Sequence, residues 1–271
     1  MPFLDYNDQR IHYRTAGNGA SVLVAVHGFL GSIERFTPLR PTLERHFRVY
    51  YFDLPFHGLT EWQLPKILPT DLQYLVDWTR THAGVEAVEL LGYSLGAKVS
   101  MNLYLADPAA VKRLWLLAPD GMQTKYLHWV EKLPGFVFDR VARMSDQPER
   151  LQEWARGLQD KGVLPPMAYQ FVQWNLSTPE RRRRAVAMWH TLRDFAVSPK
   201  ALQRTIERHD TPVELLLGRQ DPYIPFAVWE AFGARVGPVN VYVRDTGHRL
   251  LDRKTAAWIA ERVVESTRVR G

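Results

Sequence analysis

The sequence predicts a doubly wound α/β fold, a mostly parallel sheet with helices on both faces and one long helical insertion. Three observations carry that prediction. Short runs that are apolar on both faces recur along the chain and alternate with stretches of helical period. Polar residues able to do chemistry stand just past the carboxyl ends of those runs, where such sheets hold their sites. One connection, from Asp120 to about Ser198, is too long for a loop and has helical patterning of its own.

The elements follow in order. Arg10–Thr15 alternates as an antiparallel edge strand would, after a turn at Asn7-Asp8. Ser21–Val26 is an apolar run ending in His27-Gly28, and Phe47–Phe52 another, ending in Asp53-Leu54-Pro55. Val85–Leu91 ends in Gly92, and Val111–Leu117 ends in Ala118-Pro119-Asp120-Gly121. Val213–Leu217 leads into Gly218, and Val239–Val243 toward Thr246-Gly247-His248. Helical period fills the gaps at Ile33–Arg45, Asp71–His82, Leu95–Ala106, Ala201–Arg208, Phe226–Arg235 and Thr255–Arg268. The long connection offers Leu127–Leu133, Val137–Met144, Glu149–Leu158, Met167–Trp174 and Glu180–Phe195. The expected organisation is a core in two parts, 1–120 and 198–271, with a helical insertion at 121–197. At 271 residues, 46% hydrophobic, the chain is long enough for one full core of this kind.

Composition removes several functions. Cysteine is absent, so disulfides, thiolate metal sites and cysteine nucleophiles are excluded. The histidines lack ligand spacing and no phosphate-cradling glycine loop appears, so neither a metal nor a cofactor is expected. The first residues carry no basic segment followed by an apolar one, and no run is long enough to span a bilayer; the expectation is a cytoplasmic protein. The net charge of +6 raises nucleic acid as a partner. Its most basic run, Arg181 to Arg184, would fan around a helix rather than form one flat phosphate-reading face, so it reads as a solvated surface. The expected partner is a small molecule.

The chemistry centres on Gly92-Tyr93-Ser94-Leu95-Gly96, which follows a buried run and opens a helix. This is the context of a nucleophile elbow, in which a strained turn pushes the serine hydroxyl into the site. A serine nucleophile needs a base, and the base an orienting acid. In this fold class both come later in the chain, and Asp221 and His248 stand in the matching strand-end loops. Asp120 also ends a buried run and is the alternative acid. Oxyanion donors would be the backbone N–H of Leu95, at the helix start, and that of Phe29 in His27-Gly28-Phe29-Leu30-Gly31. His27 reads as a brace for that loop rather than a second base.

Five strings, H-G-F-L-G-S, D-L-P-F-H-G-L-T, G-Y-S-L-G-A, G-R-Q-D and the final G-H, resemble the α/β-hydrolase superfamily in family order over nearly the whole chain. The resemblance implies that 121–197 is the helical cap that roofs the active site. The second string departs from the family pattern: Phe56 stands where glycine is usual and Thr60 where serine is. Phe56 either adds an aromatic group at the mouth of the site or packs beneath it. With it, Trp129, Trp154, Trp174 and Trp189 are candidates for a substrate pocket, although helical spacing assigns most of the insertion's aromatics to its core. H-G-F-L-G-S also resembles the SHCHC synthase family of the menaquinone pathway, lyases with the same fold and triad. Those enzymes carry arginine where this chain has Lys98, which reads here as a helix-surface residue.

The expected activity is cofactor-independent hydrolysis of an ester, thioester or activated C–C bond in a small, largely apolar substrate. Two other classes stay open: a lyase or synthase that uses the serine–histidine pair as a base on a carboxylated substrate, and a binding module that keeps the pocket without turnover.

Overall fold

Eight strands form one sheet in the order β1-β2-β4-β3-β5-β6-β7-β8. They are β1 (Phe3–Tyr6), β2 (Gln9–Ala16), β3 (Ser21–Val26), β4 (Phe47–Phe52), β5 (Val88–Tyr93), β6 (Val111–Leu117), β7 (Val213–Gly218) and β8 (Val239–Arg244). Strand β2 runs antiparallel to both β1 and β4, and every later pairing is parallel. The structure is a computed structural model that describes residues 2–122, 147–162, 169–170, 173–174, 177–192 and 195–268.

The middle of the sheet explains the apolar runs. Val22 to Val26, Leu90, Leu91, Leu114 to Leu117 and Leu215 to Leu217 are buried, helices covering both faces. Each buried valine or leucine among them stabilises the fold by about 1.5–3 kcal/mol relative to exposure, so the strands that carry the site are anchored in the core. Strand β3 lies between β4 and β5, and the connections leaving β3 and β5 run to opposite sides. The loops after these two strands therefore face each other across a crevice, the place where open α/β sheets bind ligands.

The helices of the core are α1 (Arg40–His46), α2 (Pro69–Ala83), α3 (Leu95–Ala106), α6 (Pro199–His209), α7 (Phe226–Gly233) and α8 (Arg253–Arg268), with α4 (Pro148–Asp160) and α5 (Pro179–Leu192) in the insertion. The chain divides into two compact units, Met1–Gln63 with Pro69–Met122 and Phe195–Gly271, and Leu64–Leu68 with Gln123–Asp194. Of the expected insertion helices, Glu149–Leu158 and Glu180–Phe195 correspond to α4 and α5. Leu127–Leu133 and Val137–Met144 lie outside the described residues, and within Met167–Trp174 only 169–170 and 173–174 are described, both helical.

Three local differences from expectation have physical causes. Strand β1 has one buried residue, Leu4, so pairing defines it and no apolar pattern announces it. It joins β2 through Asn7 and Asp8, both at positive φ (46° and 60°), as a two-residue hairpin turn requires. The single helix expected over Ile33–Arg45 is a 3₁₀ turn, Ile33–Phe36, followed by α1. Pro38 cannot continue a helix, whereas Pro41 is tolerated in the first turn of α1, where its missing N–H has no intrahelical partner to lose. Strand β5 starts at Val88 rather than Val85, because Gly84 at φ 66° ends α2 and the Val85 N–H is used on the Arg80 carbonyl (3.0 Å).

Candidate active site

Ser94 sits between the last residue of β5 and the first of α3 with φ 54° and ψ −117°. Such a backbone costs on the order of 1–3 kcal/mol and persists only where its surroundings hold it. They do so here. The Ser94 N–H donates to the Leu117 carbonyl at the end of β6 (2.9 Å), and the Ser94 carbonyl accepts from Ala97 (3.0 Å) and Asp120 (3.2 Å). A β-carbon on Gly92 would lie 2.4 Å from the Ala97 Cα, so only glycine lets the helix fold back this tightly on the strand.

His248 follows β8, and Asp221 follows β7. The two loops are zipped together: Arg219 N–H donates to the Arg244 carbonyl (2.8 Å) and Gln220 N–H to that of Thr246 (3.0 Å). Gly218 permits the contact, because a β-carbon there would stand 2.5 Å from the Gly247 carbonyl oxygen. Pro222 closes a short turn in which Asp221 Oδ1 accepts from the backbone N–H groups of Tyr223 (2.8 Å) and Ile224 (3.0 Å). That leaves Oδ2 for His248 Nδ1, at 2.7 Å, while His248 Nε2 lies 3.0 Å from Ser94 Oγ. A carboxylate only accepts, so Nδ1 carries the proton and Nε2 is free to accept the hydroxyl hydrogen of Ser94. The Asp221 side chain is 1% exposed and that of His248 18%. Asp120, the alternative acid, meets Ser94 through its backbone N–H alone among the hydrogen bonds described.

The loop after β3 lies against the elbow: a β-carbon on Gly28 would be 3.2 Å from Ser94 Cβ. The Gly28 carbonyl accepts from His27 Nδ1 (2.7 Å) and from the Gly31 N–H (3.0 Å). In a planar trans peptide the next N–H points opposite to that carbonyl, so the orientation of the Phe29 N–H is fixed by these two bonds. His27 is fully buried and its Nε2 accepts from the Leu54 N–H (3.1 Å). Burial lowers the pKa of its imidazole, in keeping with a neutral brace. Leu95 is the first residue of α3, where backbone N–H groups have no intrahelical acceptor.

Asp53, which the sequence showed only as the start of a motif, is the joint of this region. Its carboxylate accepts from His12 Nδ1 (2.7 Å), the Ile33 N–H (2.7 Å) and the Leu59 N–H (2.9 Å). Thr60 replaces the usual serine without loss of the hydroxyl, which donates to the Asp53 carbonyl at 2.6 Å. Phe56 holds φ 64°, the left-handed conformation that explains why glycine is usual at that position. Tyr93 and Tyr223 were not foreseen: both rings lie 5.3 Å from the His248 imidazole, and the Tyr93 hydroxyl donates to the His248 carbonyl (3.0 Å).

Other expectations fare differently. Lys98 is not on a helix surface; it is 1% exposed, one turn beyond Ser94. Arg182 is buried too, so the arginine run is not wholly a solvated face. Trp154 and Trp174 are 41% and 47% exposed rather than core residues, and the Arg181 guanidinium lies 4.4 Å above the Trp174 ring. Trp129 and the side chain of Trp189 lie outside the described residues. Among the described residues no helix is long and apolar enough to cross a membrane.

Residues 21–248 match the family model of the alpha/beta hydrolase fold. The chain belongs to the α/β-hydrolase family. A relative in that family is the uncharacterized hydrolase YugF of Bacillus subtilis, 32% identical over 277 residues, with 94% of this chain and 92% of that one covered. A pimeloyl-acyl-carrier-protein methyl ester esterase of Pseudoalteromonas atlantica is 34% identical over 116 residues, 43% of each chain. The chain spans less than half the length of several curated relatives it matches, between 30% and 43% of three of them. Among solved structures, an α/β-hydrolase enzyme from a Medee basin deep-sea metagenome library shares the fold, with a TM-score of 0.69 at 13% identity over 97% of this chain and 96% of that one.

Proposed function

We propose that this α/β-hydrolase is a serine hydrolase that cleaves an ester, thioester or activated C–C bond of a small, largely apolar substrate through an acyl-enzyme. The observation that carries the reading is the continuous chain from Ser94 Oγ through the two nitrogens of His248 to Asp221. Ser94 attacks the carbonyl carbon as His248 Nε2 takes its proton, and the same nitrogen returns that proton to the leaving group. Asp221 keeps the imidazole in the tautomer this transfer needs. The N–H groups of Leu95 and Phe29 receive the developing oxyanion. Water then attacks the acyl group, again with His248 as base, and the acid leaves. The methyl ester esterase among the relatives supports ester chemistry, and the segment 121–197 is the proposed selector of substrate.

A fluorophosphonate probe tests this directly. It should label Ser94 and no other serine of the folded protein, and labelling should vanish in Ser94→Ala. Label on another residue, or none on folded protein, would sink the mechanism.

One observation favours a second reading. Lys98 is buried one helical turn beyond Ser94, and a basic residue at that depth would suit a substrate carboxylate. A lyase using Ser94 and His248 as a base would turn over a carboxylated substrate without forming an acyl-enzyme, and Lys98→Met would abolish that turnover while sparing neutral esters.

A further inference from the structure

Tyr93 fills the position between Gly92 and Ser94 that the G-x-S-x-G pattern leaves unspecified, and its side chain reaches across to the loop after β8. Its hydroxyl donates to the backbone carbonyl of His248 at 3.0 Å, and its ring lies 5.3 Å from the imidazole at an interplanar angle of 37°. One end of this bridge is joined by a peptide bond to Ser94, and the other is hydrogen-bonded to the residue that carries the base. The loop that carries the serine and the loop that carries the base follow different strands and are thereby tied through the side chain next to Ser94 and the main chain of His248.

We propose that Tyr93 is a positioning residue, whose hydroxyl holds the main chain of His248 so that Nε2 stays within hydrogen-bond reach of Ser94 Oγ. The inference rests on the Ser94–His248 reading above and adds a part to it. The zipper between the β7 and β8 loops holds the histidine loop against Asp221, but it acts on Arg244 and Thr246, ahead of His248. Tyr93 supplies the tie from the serine side. Burial raises the hydroxyl to about 12, so it keeps its proton and remains a donor at any pH where an esterase would be assayed. The exposed Tyr223 meets the imidazole by an edge-on ring contact, its centroid 5.3 Å away, and makes no hydrogen bond to His248 among the hydrogen bonds described, so it does not duplicate the tie.

The test compares the wild-type protein, Tyr93→Phe and Ser94→Ala with p-nitrophenyl butyrate and a fluorophosphonate. Phenylalanine keeps the ring and removes only the donor. Loss of one hydrogen bond that acts on geometry should lower kcat and the labelling rate about tenfold, with KM within about twofold. The thermal midpoint should move by no more than a few degrees. The His248 Nδ1 proton resonance, identified by its absence in His248→Gln, should broaden through faster exchange with water. Wild-type kinetics and an unchanged resonance in Tyr93→Phe, with Ser94→Ala inactive, would overturn the proposal while leaving the serine mechanism in place. So would a loss of activity that only follows a loss of folded protein. Undiminished activity and labelling in Ser94→Ala would instead overturn the mechanism on which the proposal stands.

Discussion

A β-carbon on Gly96 would stand 2.0 Å from the carbonyl oxygen of Val26, so α3 begins with its backbone pressed against the end of β3. That contact sets how deeply the serine turn enters the crevice between β3 and β5. It makes glycine at this position a requirement of packing as well as of the motif.

Gly96→Ala should therefore damage both stability and the site. Forcing a methyl group against a strand carbonyl costs about 1–3 kcal/mol or more, and the displaced helix should carry Ser94 away from His248. Gly157, near the last turn of α4, offers the contrast, because a β-carbon there meets nothing within 4 Å. Gly157→Ala should stabilise by about 0.5–1 kcal/mol through helix preference alone. Denaturant melts of the two variants, with fluorophosphonate labelling, check the pair. Equal effects would show that the Gly96 contact relaxes freely.

The central strands and the site order were legible for the same reason. Ser21–Val26, Phe47–Phe52 and Val111–Leu117 match their strands end to end because a parallel sheet covered on both faces writes a continuous apolar run. Ser94, Asp221 and His248 stand at strand ends, which that same pattern locates. What escaped were properties of three-dimensional neighbours. Lys98 read as a helix-surface residue because a lysine on a helix usually is one, but α3 is buried almost all round, from Leu95 to Tyr104, and offers it no exposed face. Tyr93 drew no reading of its own within its motif, because its hydroxyl meets a residue 155 positions away. Strand β1 was invisible because it is held by pairing rather than by burial.

Phe56 gives a prediction about strain. A non-glycine residue at φ 64° pays roughly 1–2 kcal/mol for the approach of its Cβ to the following carbonyl oxygen. Phe56→Gly removes that strain but frees the unfolded chain, which returns about as much, so its net effect should stay within about 1 kcal/mol. Phe56→Val keeps positive φ and adds a branched Cβ, and it should be clearly the less stable of the two. A valine variant as stable as the glycine one would mean that the turn readily adopts another conformation.

Glu214 on β7 predicts an unusual pH dependence. It is buried beside Trp115 of β6, Asn240 donates to one carboxyl oxygen (3.3 Å), and the other has no hydrogen-bond partner among the described residues. Burial raises its pKa above the ordinary 4.5; the hydrogen bond from Asn240, and then the guanidinium groups of Arg113 and Arg262, pull it back by less. A carboxyl whose folded pKa is raised favours folding while protonated, and that contribution is lost as pH climbs through the folded value. Glu214→Gln should thus melt higher than wild type at pH 8, and the difference should close as pH falls below 4.5. A lower melting point at pH 8 would mean that attraction to Arg113 and Arg262 outweighs burial.

The choice between two aspartates is the sharpest test of the proposed mechanism. Asp221 Oδ1 is committed to the N–H groups of Tyr223 and Ile224, which accept no proton and can only donate. In Asp221→Asn the amide oxygen must take that place, so the NH₂ group faces His248 Nδ1. A donor there selects the tautomer with its proton on Nε2, and that nitrogen can no longer accept from Ser94. The expected loss is on the order of 10³–10⁴ in kcat, as in serine proteases with the same change, with little change in stability because the turn survives. Asp120 meets Ser94 by a backbone N–H (3.2 Å), which Asn retains, so Asp120→Asn should keep most of the activity. The two variants are to be purified side by side, checked for matching thermal midpoints and assayed on one p-nitrophenyl ester. If Asp120→Asn is the inactive one, the orienting acid has been misassigned, whatever distance separates Asp221 from the imidazole.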